Sequence, residues 1–151
     1  MIPRTIVWLV AGATGAYLCS LVIDREPPVI VTDSRLITPQ VEPGGTLKVE
    51  VEIFRTRRCE TSIDRFIFDS QGGRHILEPL ELRSAGGARG EERYTNLIPV
   101  PLDAAPGPAR YRSSATYRCN PLHRLSPITA EPREVQFEIM PPGIAQPNAR
   151  N

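Results

Sequence analysis

The sequence has almost no excess of either charge, with 18 Lys and Arg against 17 Asp and Glu in 151 residues. A dedicated nucleic-acid binder concentrates base on one domain, so no nucleic-acid partner is expected. Histidine is scarce: His75 and His123 are the only two, and neither comes with a serine or cysteine motif. Without a nucleophile elbow, the sequence displays no recognisable hydrolytic triad. Metal-ligand spacing is also missing, because Cys59 and Cys119 stand alone and Asp64 and Asp69 do not form a calcium loop. The glycine pairs Gly72-Gly73 and Gly86-Gly87 lack the lysine and the following helix that a phosphate-cradling loop needs, so they read as turns and no cofactor is expected. Lysine is nearly absent as well. Lys48 is the only one, an arginine bias that points to a GC-rich bacterial or bacteriophage genome.

What is present bounds the fold. Hydrophobic residues at 40% and charged residues at 23% argue against disorder, and the length suits one domain. With 16 Pro and 11 Gly, long helices are excluded outside a single stretch. That stretch, residues 5–23, reads TIVWLVAGATGAYLCSLVI and carries no charge. As a helix it is about 28 Å long, close to the roughly 30 Å hydrocarbon core of a bilayer. Nothing in the rest of the chain offers a helix apolar on all sides a place to be buried, so a transmembrane helix is expected. Arg4 precedes it and Asp24, Arg25 and Glu26 follow, which sets residues 1–4 in the cytoplasm and exports the remainder to the periplasm or the exterior. A cleaved signal peptide is the rival reading, but the apolar run continues through Leu21, Val22 and Ile23 past any plausible cut. A lipoprotein reading of Cys19 conflicts with the bulky Leu18 before it. Gly12, Ala16 and Ser20 recur every four residues, a spacing that lets two such helices approach closely and form a homodimer through the anchor.

Beyond a juxtamembrane spacer, residues 24–28, the periodicity changes from helical to alternating. Leu47, Val49, Val51 and Ile53 alternate with polar neighbours, as do Tyr111, Ser113, Ala115, Tyr117 and Cys119, and Val135, Phe137 and Ile139. Each is the signature of a half-buried strand. Further strands are expected over 29–38, 62–69, 74–82 and 91–100, separated by turn residues such as Pro43-Gly44-Gly45. Seven strands predict an all-β, two-sheet antiparallel sandwich over residues 29–140, and the Pro-rich residues 141–151 read as a flexible tail. The stretch PGPARYRSSATYRC, with a Tyr near its start and Cys119 at its end, resembles the penultimate strand of immunoglobulin-like and fibronectin type III-like domains. Two features depart from antibody domains: the only Trp is Trp8, and Cys59 follows its strand instead of lying within it. The resemblance implies an Ig-like sandwich and, by analogy, a role in recognition or adhesion.

Strand parity pairs the two exported cysteines. If the first strand rises from the membrane, the second descends to Cys59, and after three more reversals the strand ending at Cys119 descends too. Both thiols reach the membrane-proximal pole, where an oxidising compartment would join them in a disulfide. Closing a loop of that size restricts the unfolded chain by roughly 4 kcal/mol in the entropy model. The same parity makes this pole basic, gathering Arg55, Arg57, Arg58, Arg118 and Arg124 as contacts for anions or lipid headgroups. The expectation is therefore a membrane-anchored, exported Ig-like binding or structural module of a bacterial or phage-encoded envelope, without enzymatic activity, contacting lipid and a protein partner. Two alternatives remain open. One is an envelope hydrolase with a site invisible in sequence, and the other a phage membrane protein acting in infection or lysis.

Overall fold

A computed structural model describes residues 3–82 and 89–141. The expected tail from residue 142 and the Gly86-Gly87 turn lie outside the described residues. A single helix, α1, spans Arg4–Ile23 and begins directly after Pro3, which lacks an N–H the helix would leave unpaired. It is long and apolar enough to cross a membrane, and over Thr5–Ile23 none of it is buried by the rest of the chain. It ends at Asp24, whose N–H still reaches the Ser20 carbonyl at 3.2 Å, and Pro27-Pro28 prevent any continuation.

The remainder is β-structure: β1 Val29–Leu36, β2 Gln40–Val41, β3 Thr46–Arg55, β4 Glu60–Phe68, β5 Arg74–Leu82, β6 Gly90–Pro99, β7 Gly107–Arg118, β8 Ile128–Thr129 and β9 Arg133–Ile139. All seven expected strands are present, with ends moved by a few residues. One sheet has the order β1-β3-β6 and the other β2-β9-β7-β4-β5, with β8 paired to β7. The chain crosses between sheets after β1, β2, β3, β5 and β6, while β4 and β5 pair side by side in one sheet.

Two strands were not anticipated, and one of them breaks the all-antiparallel expectation. The first strand stops at Leu36 because the Ile37 N–H turns to the Lys48 carbonyl and the Thr38 hydroxyl accepts from the Lys48 N–H at 2.8 Å. Pro39 then redirects the chain to the other sheet, where β2 pairs parallel with β9. The turn into β3 depends on Gly44. Its φ of +81° suits glycine, and any Cβ there would strike the Leu102 side chain.

Alternation puts one face of each sheet inward, and the interior forms two separate clusters. The larger one, at the end away from α1, holds Leu47, Ile67, Ile98 and Ile139, each with no exposed surface. The smaller joins Cys59, Tyr117 and Ile128 at the end nearest α1.

Candidate functional site

Cys59, just past β3, and Cys119, just past β7, form a disulfide with their Cα atoms 4.5 Å apart. Two loops meet at this pole: residues 56–59 and the segment after β7, which winds into a single 3-10 turn over Pro121–Arg124. Asn120 sets that turn. Its Oδ1 accepts from the Leu122 and His123 N–H groups at 3.0 and 3.2 Å, a side-chain cap on otherwise unpaired donors.

The turn carries His123 inward. This residue is 1% exposed. Its Nδ1 accepts from the Cys119 N–H at 3.1 Å, which leaves Nε2–H to donate to the Asp24 carbonyl at 2.9 Å. The imidazole therefore bridges the disulfide loop to the residue that ends α1.

Three further links run to the same place. Asn120 Nδ2 donates to the Leu21 carbonyl at 3.1 Å. Arg57 donates to the Asp24 carboxylate at 2.5 Å and to the Glu26 carbonyl at 2.7 Å. Arg25 donates to the carbonyl and hydroxyl of Ser126, both at 3.0 Å. The hydrogen bond from Arg57 holds the Asp24 carboxyl below its ordinary pKa, against the opposing effect of burial. Residues 24–28, read as a plain spacer, are thus one half of a polar clamp. Its contacts join residues 31 to 101 positions apart and follow no period, so sequence patterning carried no signal of it.

The clamp revises the basic surface. Arg55 is not a surface contact: its side chain is only 13% exposed, turned inward and paired with Glu92 at 3.1 Å. The reason is register, since Arg55 extends the inward row of Leu47, Val49, Val51 and Ile53. Arg57 is committed to Asp24 and Glu26, which leaves it little to offer an anion. Arg58 and Arg124 are exposed, and Arg118 is half-buried opposite Glu60. Among the described residues no ion pair engages these three. Arg118 and Arg124 border, with Glu60 and Pro121, a shallow hollow of about 300 Å³.

On α1, Gly12, Ala16 and Ser20 are all exposed, with Gly12 open to any approaching atom. The Ser20 hydroxyl donates to the Tyr17 carbonyl of its own helix at 2.7 Å.

The opposite pole is built on the other histidine. Asp69 Oδ1 accepts from the N–H groups of Gln71 and Gly73, and Oδ2 accepts from Ala105 and lies 3.0 Å from His75 Nε2. The contact with His75 and the three backbone donors lower the Asp69 pKa to about 2 against its burial. Ser70 donates to the Pro106 carbonyl at 2.7 Å, away from the imidazole. Among the described residues neither imidazole is hydrogen-bonded to a hydroxyl or thiol, and no group of three His, Cys, Asp or Glu side chains could hold a metal ion. Both histidines tie loops together.

No protein-family model and no curated protein matches this sequence. Solved structures give distant likenesses, each covering 76% of this chain. The alkylpurine DNA glycosylase AlkC of Pseudomonas fluorescens, bound to DNA containing an abasic site analog, is 13% identical with a TM-score of 0.42. Spo0M, a sporulation control protein of Bacillus subtilis, is 12% identical with a TM-score of 0.38. The CARDB domain of a Pyrococcus furiosus protein, in complex with di-metal ions, is 15% identical, also at 0.38. The chain spans 31% of the glycosylase, 49% of Spo0M and 87% of the CARDB domain. No family is assigned.

Proposed function

We propose that this chain is a single-pass envelope protein whose exported Ig-like domain is a binding module held against the membrane surface. The observation that carries the reading is the clamp. Leu21, Asp24, Arg25 and Glu26 at the end of an apolar helix are fixed by Arg57, Asn120, His123 and Ser126 of the β-domain. A leader destined for removal, or a tether meant to let its domain swing, needs no such fixings. The strand orders support the Ig-like part, because β1-β3-β6 faces a sheet containing β9-β7-β4 as in sandwiches of that class. Fixed this way, the disulfide pole faces the headgroups, and Arg58, Arg118 and Arg124 each contribute on the order of 1 kcal/mol if the leaflet is anionic. Recognition of a protein partner in the envelope is then left to the strands and loops farther from the helix.

Protease treatment of intact spheroplasts carrying the full chain with a C-terminal epitope tests this. Loss of the epitope from outside, with the N-terminal fragment retained on membranes washed in alkaline carbonate, is the expected result. A protected epitope, or a chain released into the soluble fraction, overturns the reading.

A further inference from the structure

Between the two core clusters the sheets do not close. A cavity of about 560 Å³ runs between them at the level of Val51 and Ser113, well within the range of pockets that take small organic ligands. Its cause is legible in β7, whose inward row reads Ala109, Tyr111, Ser113, Ala115, Tyr117. Two small side chains between two tyrosines leave space that the facing Val49, Val51 and Ile53 of β3 do not fill. Both sheets also bend here. The register of β1 against β3 slips between Val31 and Asp33, and that of β5 against β4 between Leu80 and Leu77. Bulges of this kind turn strands out of line with their neighbours.

Half of the lining residues are aliphatic, and the rest include Arg55, Glu131, Arg133 and Glu134; two polar atoms of lining residues, the Tyr111 hydroxyl and Arg55 Nε, are buried without a hydrogen-bond partner. Tyr111 is 4% exposed, and Asn96 and Ser113 stand near its hydroxyl without meeting hydrogen-bond geometry. Arg55 gives Nη2 to Glu92 and leaves its Nε–H unanswered. A buried donor left unpaired carries a desolvation penalty, and a bound acceptor offsets it. Pro27, four residues beyond the end of α1, is one of the residues lining the cavity, which therefore reaches to the helix end of the domain.

We propose that this cavity binds a single-chain acyl lipid, its hydrocarbon tail along Val49, Val51 and Ile53 and its carboxylate or carbonyl oxygen accepting from Tyr111 and Arg55. The volume fixes one chain. At about 560 Å³ it falls within the roughly 300–1,000 Å³ of small-ligand pockets, a size for one acyl chain and not for two. The proposal rests on the membrane-held reading for the source of the ligand, since a lipid leaving the bilayer meets the helix end of the domain first.

A photoreactive fatty acid added to membranes containing the full chain tests both readings separately. Cross-links mapped to α1 report that the helix is in the bilayer, and cross-links mapped to residues 111–117 report the cavity. Labelling of both, with the β7 label competed by unlabelled fatty acid, is expected. Ala115→Leu should remove the β7 label, keep the α1 label and melt no lower than the parent, because it fills space. Tyr111→Phe removes a hydroxyl that has no partner in the empty domain. It should melt no lower than the parent and weaken competition by roughly tenfold. Label on α1 without label on β7 overturns the cavity site alone, as does equal β7 labelling in Ala115→Leu. Equal β7 labelling by a photoreactive diacyl phospholipid overturns the single-chain assignment. Absence of the α1 label overturns the membrane reading, and any β7 label that remains is then judged by the same competition.

Discussion

The two ends of the β-domain are held together in different ways. Away from α1, Leu47, Ile67, Ile98 and Ile139 are wholly buried between the sheets in one apolar cluster. Nearest α1, a disulfide, a buried histidine and a polar clamp hold the chain, and beside them the sheets part around the cavity. Close packing closes one end, while covalent and hydrogen-bonded links let the other stay open. A region cross-linked at its loops can keep its shape with an unfilled interior, whereas one that depends on burial cannot.

The strongest way to break this comparison is to cut volume from the packed end. Ile67→Ala should cost about 2–5 kcal/mol, the range for a large-to-small change at a site that cannot collapse. Thermal unfolding checks it. A loss below 1 kcal/mol would mean that the far end is as loosely built as the near one. The partner experiment is Ala115→Leu, where added volume should stabilise or leave stability unchanged. Overpacking by more than about 1 kcal/mol would show that the near end has no space to fill.

Replacing Cys59 and Cys119 together by Ser should cost about 2–4 kcal/mol. The position of the damage matters more than its size. Amide exchange in β8 and in the Pro121–Arg124 turn should accelerate well beyond the global loss, while the turn around Asp69 keeps its relative protection. Uniform acceleration would mean that the disulfide staples the whole domain and not one end.

The difference between the ends also decides how much was readable in the sequence. Alternation needs several residues, so the long strands around Leu47, Tyr111 and Phe137 were plain, whereas β2 and β8, two residues each, carry no period. Counting reversals brought Cys59 and Cys119 together, because parity survives errors in strand ends. The same counting misplaced Arg55. It identified the pole but not the face, and the face follows from the period-two row that runs on past Ile53. The clamp was invisible: Asp24 and His123 are 99 residues apart, and nothing local marks an Asn as a cap that also reaches a helix end. Ser113 and Ala115 were visible as small residues in an inward row. That they leave a cavity depends on the β1 and β5 bulges, which patterning does not show.

Acid should act first on the packed end's turn. Asp69 has its pKa lowered to about 2, chiefly by His75 and then by backbone donors. A carboxyl lowered in the folded state contributes stability that is complete above its unfolded pKa near 3.9 and is lost as pH falls towards the folded value. Unfolding followed between pH 5 and pH 2 should show this loss, and Asp69→Asn should flatten it. An unchanged slope in that variant would assign the acid sensitivity elsewhere.

The smallest expected change in stability belongs to the clamp. Arg57 and Asp24 are each about 30% exposed on their side chains, and pairs of that kind contribute roughly 0–1 kcal/mol. Arg57→Ala should therefore barely move the melting temperature. Its effect should appear in geometry: a spin label placed by Leu125→Cys, at a fully exposed position of the disulfide pole, should gain mobility relative to α1 once Asp24 and Glu26 lose their donor. Because Cys19 is a free thiol, the background for that label is Cys19→Ser. Greater mobility at constant stability would separate fixing the domain from folding it, and that separation is what distinguishes a clamp from a core. Unchanged mobility would leave Asn120, His123 and Arg25 as sufficient fixings and reduce Arg57 to a neutralising charge for Asp24.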